Sequence, residues 1–168
     1  DLPSKGLLYP KDNPLSEGKI ELKYMTAKEE DILSNSSYIR QGIVLDKLFK
    51  SLIVTKINYN DLLVGDKNAI MVAARVLGYG NNYEFEYEGE KQTVDLSKLE
   101  FVDIDTKQWE NGNNFSFTLP ASKNTVTFKI LTHGDELKIA SETKSMKKVN
   151  KEADATVSTR LKYMITSI

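Results

Sequence analysis

Polar and apolar residues alternate along residues 19–25, and this period of two predicts a half-buried strand. The next residue, Thr26, is of a type that commonly caps a helix. Glu29 and Glu30 follow at positions where free backbone N–H groups and the helix dipole favour carboxylates. We therefore predict a strand that leads directly into a capped helix, which ends near residues 34–37.

The same design returns near the C-terminus. Residues 128–131 read as the end of a strand, Thr132 stands at the cap position, and Asp135 and Glu136 lie in the first turn. Two explanations remain open, an internal duplication or the convergence of two strand-to-helix junctions on one pattern. A duplication predicts that the two junctions are structurally equivalent.

Apolar residues at helical spacing predict two more helices before residue 80. The first begins near Ile39 and carries one apolar stripe. That stripe consists of Val44, Leu45, Leu48, Phe49, Leu52 and Ile53. The second begins near Asp66, whose carboxylate can cap it, and ends at Gly78, where a positive φ angle is easily adopted.

Two β-hairpins are predicted in the rest of the chain. Residues 83–87 and 92–96 alternate around a glycine-containing loop, so the first hairpin has an aromatic face and an acidic face. Residues 115–119 and 125–131 predict a second hairpin. This second hairpin leads into the second capped helix.

The remaining segments are a linker and a last helix. Residues 97–114 are rich in Asp, Lys, Asn and Gly, and we expect Trp109 to anchor this linker to a neighbouring surface. The last helix has an apolar face formed by Val157, Leu161, Met164, Ile165 and Ile168. Because no capping glycine or polar tail follows, we expect the native polypeptide to continue beyond residue 168.

Together these elements predict an α+β fold. It contains two units, each a β-hairpin or strand plus a helix, with a helical segment between them, and the two units are a possible internal duplication. We divide the chain into an N-terminal unit of arm, strand and helices at 1–80, a hairpin and linker at 81–114, and a C-terminal hairpin-plus-helix unit at 115–168.

Composition narrows the function classes. The 168 residues include 23 basic and 24 acidic side chains, so the formal charge of -1 gives no global attraction to nucleic acid or to an anionic membrane. The apolar runs are too short to span a bilayer. Cysteine is absent, which excludes disulfides, a thiol nucleophile and cysteine-based metal sites.

Candidate catalytic chemistry is sparse. The single histidine, His133, directly follows the second cap and is interpreted as an exposed first-turn residue. The alternative is a catalytic or metal role, but one imidazole makes no metal site by itself. The sequence contains no calcium-binding loop, and its glycines at 78 and 80 follow a predicted helix, whereas a phosphate-binding loop precedes one. We predict no enzymatic activity, no catalytic or metal-binding residue and no cofactor.

Two segments are predicted to contact other proteins. The aromatic face of the first hairpin, formed by Tyr83, Phe85 and Tyr87, must be buried against something. The N-terminal arm likewise carries large apolar groups. In the arm, these groups are Leu7, Leu8 and Tyr9. The alternative is that both segments complete the internal core.

The order of several motifs resembles the baseplate hub proteins of contractile-tailed, myovirus-type bacteriophages. The first motif is Leu2-Pro3-Ser4-Lys5-Gly6 with Tyr9, and the second is Lys23-Tyr24-Met25-Thr26 with Glu29, Glu30, Asp31, Ile32 and Leu33. The third comprises Leu63, Gly65, Asp66, Lys67 and Ile70, followed by Arg75, Gly78, Tyr79, Gly80 and Tyr83. The resemblance covers roughly the first half of the chain and implies a role in the virion tail through assembly contacts.

The resemblance implies that the partners are other phage tail or baseplate proteins, with a location in the virion tail and, during assembly, in the host cytoplasm. It leaves open whether the protein is a permanent baseplate subunit or a transient tail-assembly chaperone. A rival from a different class is a tail hydrolase that degrades the cell wall. A zymogram for cell-wall hydrolysis by the purified chain would separate that rival from a structural role.

Overall fold

The computed structural model describes residues 1–100, 106–109, 111–149 and 155–168. Within these residues the protein has six α-helices and two small antiparallel sheets, which confirms the α+β prediction. The helices are α1 Ala27–Leu33, α2 Ser36–Gln41, α3 Val44–Leu52, α4 Val64–Tyr79, α5 His133–Val149 and α6 Thr156–Met164. The strands are β1 Asn82–Tyr87, β2 Glu90–Asp95, β3 Phe115–Thr118, β4 Thr125–Phe128 and β5 Ile165–Ser167.

The strand predicted at residues 19–25 is wrong. Only Leu22 forms a β-bridge, and its partner is Ile53, just after α3. Backbone hydrogen bonds from Lys23 to Leu52 and from Val54 to Glu21, both 2.9 Å long, hold the two segments together. The chain bends at residue 55, so the partner segment is too short for a continuous ladder.

The helices of the first half differ from their predicted bounds. The helix predicted to run from Ile39 is two helices, because Gly42 adopts a φ of 70° and ends α2 before α3 begins. Helix α4 begins at Val64, so Asp66 lies inside its first turn and is not its cap. The helix also continues through Gly78, where an added Cβ would lie 2.3 Å from the sulfur of Met25. Glycine therefore lets Met25 pack closely against α4.

Both predicted hairpins are present. Strands β1 and β2 pair in the register Tyr83 with Val94, Phe85 with Gln92 and Tyr87 with Glu90. Strands β3 and β4 form the second hairpin, and β5 adds to β4 so that Phe128 lies opposite Ile165. The last predicted helix therefore ends at Met164, and Ile165 is a strand residue.

The core lies between α3, α4 and the N-terminal arm. Buried side chains in these elements, and in the segment just before α4, include Leu15, Phe49, Leu52, Leu62 and Ile70. Trp109 packs against this core, which confirms that it anchors the linker. Residues 101–105 and 110 of the predicted linker lie outside the described residues.

The two helix caps are equivalent, as a duplication predicts. The Thr26 N–H donates to Glu29 at 3.0 Å, and the Thr132 N–H donates to Asp135 at 3.1 Å. In each junction a lysine three residues before the threonine pairs with the same carboxylate. These pairs are Lys23 with Glu29 at 2.9 Å and Lys129 with Asp135 at 2.7 Å. The predicted equivalence of the whole junctions is wrong for the segments before the caps, because β4 is a regular strand and residues 19–25 are not.

Replacing either capping threonine with alanine is expected to lower the free energy of unfolding by about 1 kcal/mol, because the hydroxyl group is lost at the helix start. Urea denaturation of Thr26→Ala and Thr132→Ala measures the change. Thr26→Ser and Thr132→Ser, which keep the hydroxyl group, are the matched controls. Equal stability of the alanine and serine variants would contradict the cap assignment.

Candidate interaction surface

The first hairpin projects from the body of the protein. Every residue of β1 is exposed, and in β2 only Asp95 is partly covered. Tyr83, Phe85 and Tyr87 are 45%, 38% and 62% exposed. Large aromatic groups bury much area at low entropic cost, so a row of three exposed rings on one strand is a strong candidate for protein contact.

Arg75 holds the base of this hairpin against α4. Its guanidinium donates hydrogen bonds to the carbonyl oxygens of Gly80, at 3.1 Å, and Asn82, at 3.3 Å. The same group lies 5.1 Å from the centre of the Tyr79 ring and 5.8 Å from that of Tyr83. These contacts fix the direction in which β1 leaves the helix.

The aromatic row is itself ordered. The rings of Tyr83 and Phe85 stack with their centres 5.9 Å apart and their planes inclined by 29°. Stacked aromatic pairs contribute beyond the area that they bury. The first two rings of the row are therefore arranged before any partner binds.

An apolar groove of about 350 Å³ continues from this row between α3 and α4. Its floor is formed by buried side chains that include Leu48, Phe49 and Ala74. Its rim consists of exposed apolar and aromatic residues, namely Leu45, Met71, Tyr79 and Tyr83. Because Tyr83 belongs to both, the groove and the aromatic row form one surface, which we call the hairpin surface.

The hairpin carries a larger acidic excess than the chain as a whole. Residues 82–95 contain one lysine, Lys91, and five carboxylates. These carboxylates belong to Glu84, Glu86, Glu88, Glu90 and Asp95. The resulting formal charge of -4 contrasts with -1 for the whole chain. A partner with basic residues would therefore be attracted to this part of the molecule.

The predicted contact surface on the N-terminal arm is wrong at two of its three residues. Leu8 and Tyr9 are buried in the core, and only Leu7 is exposed. Two hydrogen bonds hold the Tyr9 hydroxyl group. It donates to Asp66 at 2.6 Å and accepts from the Leu63 N–H at 3.0 Å. The arm therefore completes the internal core, which was the alternative explanation.

Asp66 organises this arm. Its buried carboxylate accepts hydrogen bonds from the Ser4 N–H at 3.0 Å, from the Ser4 hydroxyl group at 2.7 Å and from Tyr9. Burial and the neighbouring carboxylate raise the pKa of Tyr9 far above its ordinary value, so the phenol remains a donor. The sequence marks Asp66 as a helix-start residue but not as the acceptor for a segment 62 positions away.

His133 was expected to be exposed, but it is only 3% exposed. Its Nδ1 lies 3.1 Å from the ammonium of Lys67, which also pairs with Asp46. Since an ammonium group only donates, Nδ1 accepts, and the neutral ring carries its proton on Nε2, which faces Asp46 at 3.7 Å. Tyr59 donates to Asp46 at 3.0 Å and packs edge-on against the imidazole.

This cluster, in which His133 and Tyr59 are buried and Asp46 and Lys67 are partly buried, links α3, α4 and the start of α5. Burial and the charge of Lys67 lower the pKa of His133 below its ordinary value. None of its members lines the groove of the hairpin surface. The contacts among its members join the three helices.

In the described part of the chain, no three or more His, Asp and Glu side chains lie close enough together to hold a metal ion. No helix in the same residues is both long enough and apolar enough to cross a membrane.

Comparison with known proteins adds no relative. The chain matches no family model, no curated protein and no solved structure.

Proposed function

We propose that this protein is a structural or assembly component of the baseplate hub of a contractile phage tail and acts through protein–protein contacts. The observation that carries the proposal is the hairpin surface, with three exposed aromatic rings continuous with an apolar groove. The order of motifs that resembles baseplate hub proteins supplies the biological setting. In this role the partners are other tail or baseplate proteins.

The geometry favours binding because the surface is already ordered. An isolated two-stranded hairpin is marginally stable in water. Here Arg75 holds the base of β1, and the Tyr83 and Phe85 rings stack on each other. A partner therefore meets a surface that loses little conformational freedom when it binds.

Replacing Phe85 with alanine is expected to weaken binding to tail partners by about 30-fold, the loss typical of a central aromatic contact worth roughly 2 kcal/mol. Affinity purification of the tagged chain from infected cells, with quantitative mass spectrometry of known tail proteins, measures this loss. Thermal unfolding of the purified variant shows whether it is folded.

Phe117→Ala is the matched control, because Phe117 is also an exposed strand phenylalanine but lies on β3 and does not line the groove of the hairpin surface. This control is expected to recover the tail partners at the wild-type level. If Phe85→Ala and Phe117→Ala recover the same partners in the same amounts, the hairpin surface is not the contact site. If the wild-type chain recovers no tail protein, the proposed function is wrong.

A further inference from the structure

The outer edge of β1 is open. β1 pairs only with β2 in a two-stranded sheet, so its other backbone edge has no strand partner among the described residues. All six residues of β1 are exposed. Apart from the Asn82 carbonyl, which accepts from Arg75, this edge presents N–H and C=O groups that can pair with an added strand.

Each face of β1 carries side chains of one chemical type. Tyr83, Phe85 and Tyr87 lie on one face, and Glu84 and Glu86 lie on the other. A strand added at the edge would place its side chains about 4.5–5.5 Å from those of β1 on the same face. It would be favoured if it offered apolar groups to the rings and cationic groups to the carboxylates.

A second copy of the same strand does not meet this requirement. An antiparallel pair of β1 strands centred on Phe85 would place Glu84 of each copy opposite Glu86 of the other. Like charges directly opposite each other destabilise a sheet. The formal charge of -4 on residues 82–95 adds to the repulsion between two hairpins.

We propose that the open edge of β1 binds an extended segment of a partner protein in which Lys or Arg alternates with apolar residues. The segment adds a third strand to the hairpin, with its apolar side chains on the aromatic row and its basic side chains beside Glu84 and Glu86. The identity of the partner as a tail protein rests on the proposed function, whereas the mode of binding rests on the edge itself.

Synthetic peptides with blocked ends test this mode on the full chain. The probe is a short fluorescent peptide in which lysine alternates with valine, and its matched control alternates glutamate with valine. Fluorescence anisotropy is expected to show at least tenfold tighter binding of the lysine peptide. Equal binding of the two peptides, or binding of neither, would overturn the proposal.

Backbone methylation separates strand addition from simple charge attraction. Two further lysine–valine peptides carry N-methyl groups on alternate residues, so that each has one backbone edge blocked. Strand addition predicts that one of these two peptides loses binding at least tenfold and the other retains it. If both bind as the parent peptide does, no strand is added and the proposal is wrong.

Charge reversal locates the site. Glu84→Lys combined with Glu86→Lys is expected to reverse the preference from the lysine peptide to the glutamate peptide. Asp12→Lys combined with Glu17→Lys, two exposed carboxylates outside the hairpin, makes the same change in net charge and is expected to leave the preference unchanged. If both double variants lost the preference for the lysine peptide to the same extent, net charge alone would drive binding, which contradicts the assigned site.

The outcome also separates this inference from the proposed function. If the peptides fail to bind while Phe85→Ala still removes tail partners, the edge-binding mode is wrong and the structural role stands. If the lysine peptide binds as expected but the chain recovers no tail protein, the binding mode is supported and the phage-tail role is wrong.

Discussion

Replacing Asp66 with alanine is expected to lower the free energy of unfolding by about 3–5 kcal/mol, because a buried acceptor disappears and its donors remain. The Ser4 N–H, the Ser4 hydroxyl group and the Tyr9 hydroxyl group all donate to this carboxylate. Each buried donor left without a partner costs about 1–3 kcal/mol. Urea denaturation at neutral pH measures the loss.

Asp12→Ala is the matched control for Asp66→Ala, because Asp12 is an exposed aspartate near the same arm, and its replacement is expected to change the stability by less than about 0.5 kcal/mol. Hydrogen exchange adds a local measurement. In Asp66→Ala the amides of the arm, which include the Leu2 N–H bound to Gly18, are expected to exchange faster. Unchanged stability of Asp66→Ala would show that the arm is held by its apolar contacts alone.

The elements that the sequence predicted correctly are those with a local cause. The first hairpin follows from strict alternation around a short loop, and both strands lie within one residue or two of the predicted bounds. The caps at Thr26 and Thr132 depend on carboxylates only three residues away. Patterns of this kind act over a few residues. The short segment that shows the pattern therefore also contains the residues that form it.

The elements that the sequence predicted wrongly depend on contacts with distant segments. Residues 19–25 alternate as a strand does, yet a ladder also needs a partner, and the segment after α3 provides only one bridge. The apolar spacing around Ile165 fits a helix, but pairing with β4 converts this residue to a strand. Tertiary pairing outweighs local periodicity in both places.

In the candidate site, too, the sequence predicted the features with a local cause and missed those that depend on tertiary contacts. Tyr83, Phe85 and Tyr87 were predicted to lie on one face of a hairpin, and the structure places them there and leaves them exposed. The groove beside them needs α3 and α4 to pack together, and no local pattern contains that contact. Leu8 and Tyr9 have the same apolar character as the hairpin residues, so composition alone did not separate core from surface.

The pH dependence of stability is expected to report on the buried imidazole of His133. Burial and the nearby charge of Lys67 lower the pKa of His133 in the folded protein below the ordinary value of 6.5. Lys50 opposes protonation as well, whereas Asp46 and Glu136 favour it. The unfolded chain therefore binds this proton more readily than the folded protein does.

The sign of the effect follows from this difference. Well above pH 6.5 the imidazole is neutral in both states and has no effect on the pH dependence. As the pH falls below 6.5, only the unfolded state gains the proton, so the free energy of unfolding decreases until the pH reaches the lower pKa of the folded state. Protonation of the folded protein would place a proton on Nδ1, directly against the Lys67 ammonium.

His133→Gln is expected to remove this dependence, because the amide oxygen of glutamine can accept the Lys67 hydrogen bond without titrating. Urea denaturation of both proteins at pH 7.5 and 5.5 measures the change. Between these two conditions the wild-type protein is expected to lose roughly 1 kcal/mol more stability than the variant. The imidazole acts on Asp46, but the pKa of Asp46 is lowered, so this carboxylate stays ionised at both pH values and the difference reports on the imidazole. A loss of equal size in the two proteins would mean that His133 takes up its proton as easily in the folded state as in the unfolded chain, which its contacts with Lys67 oppose.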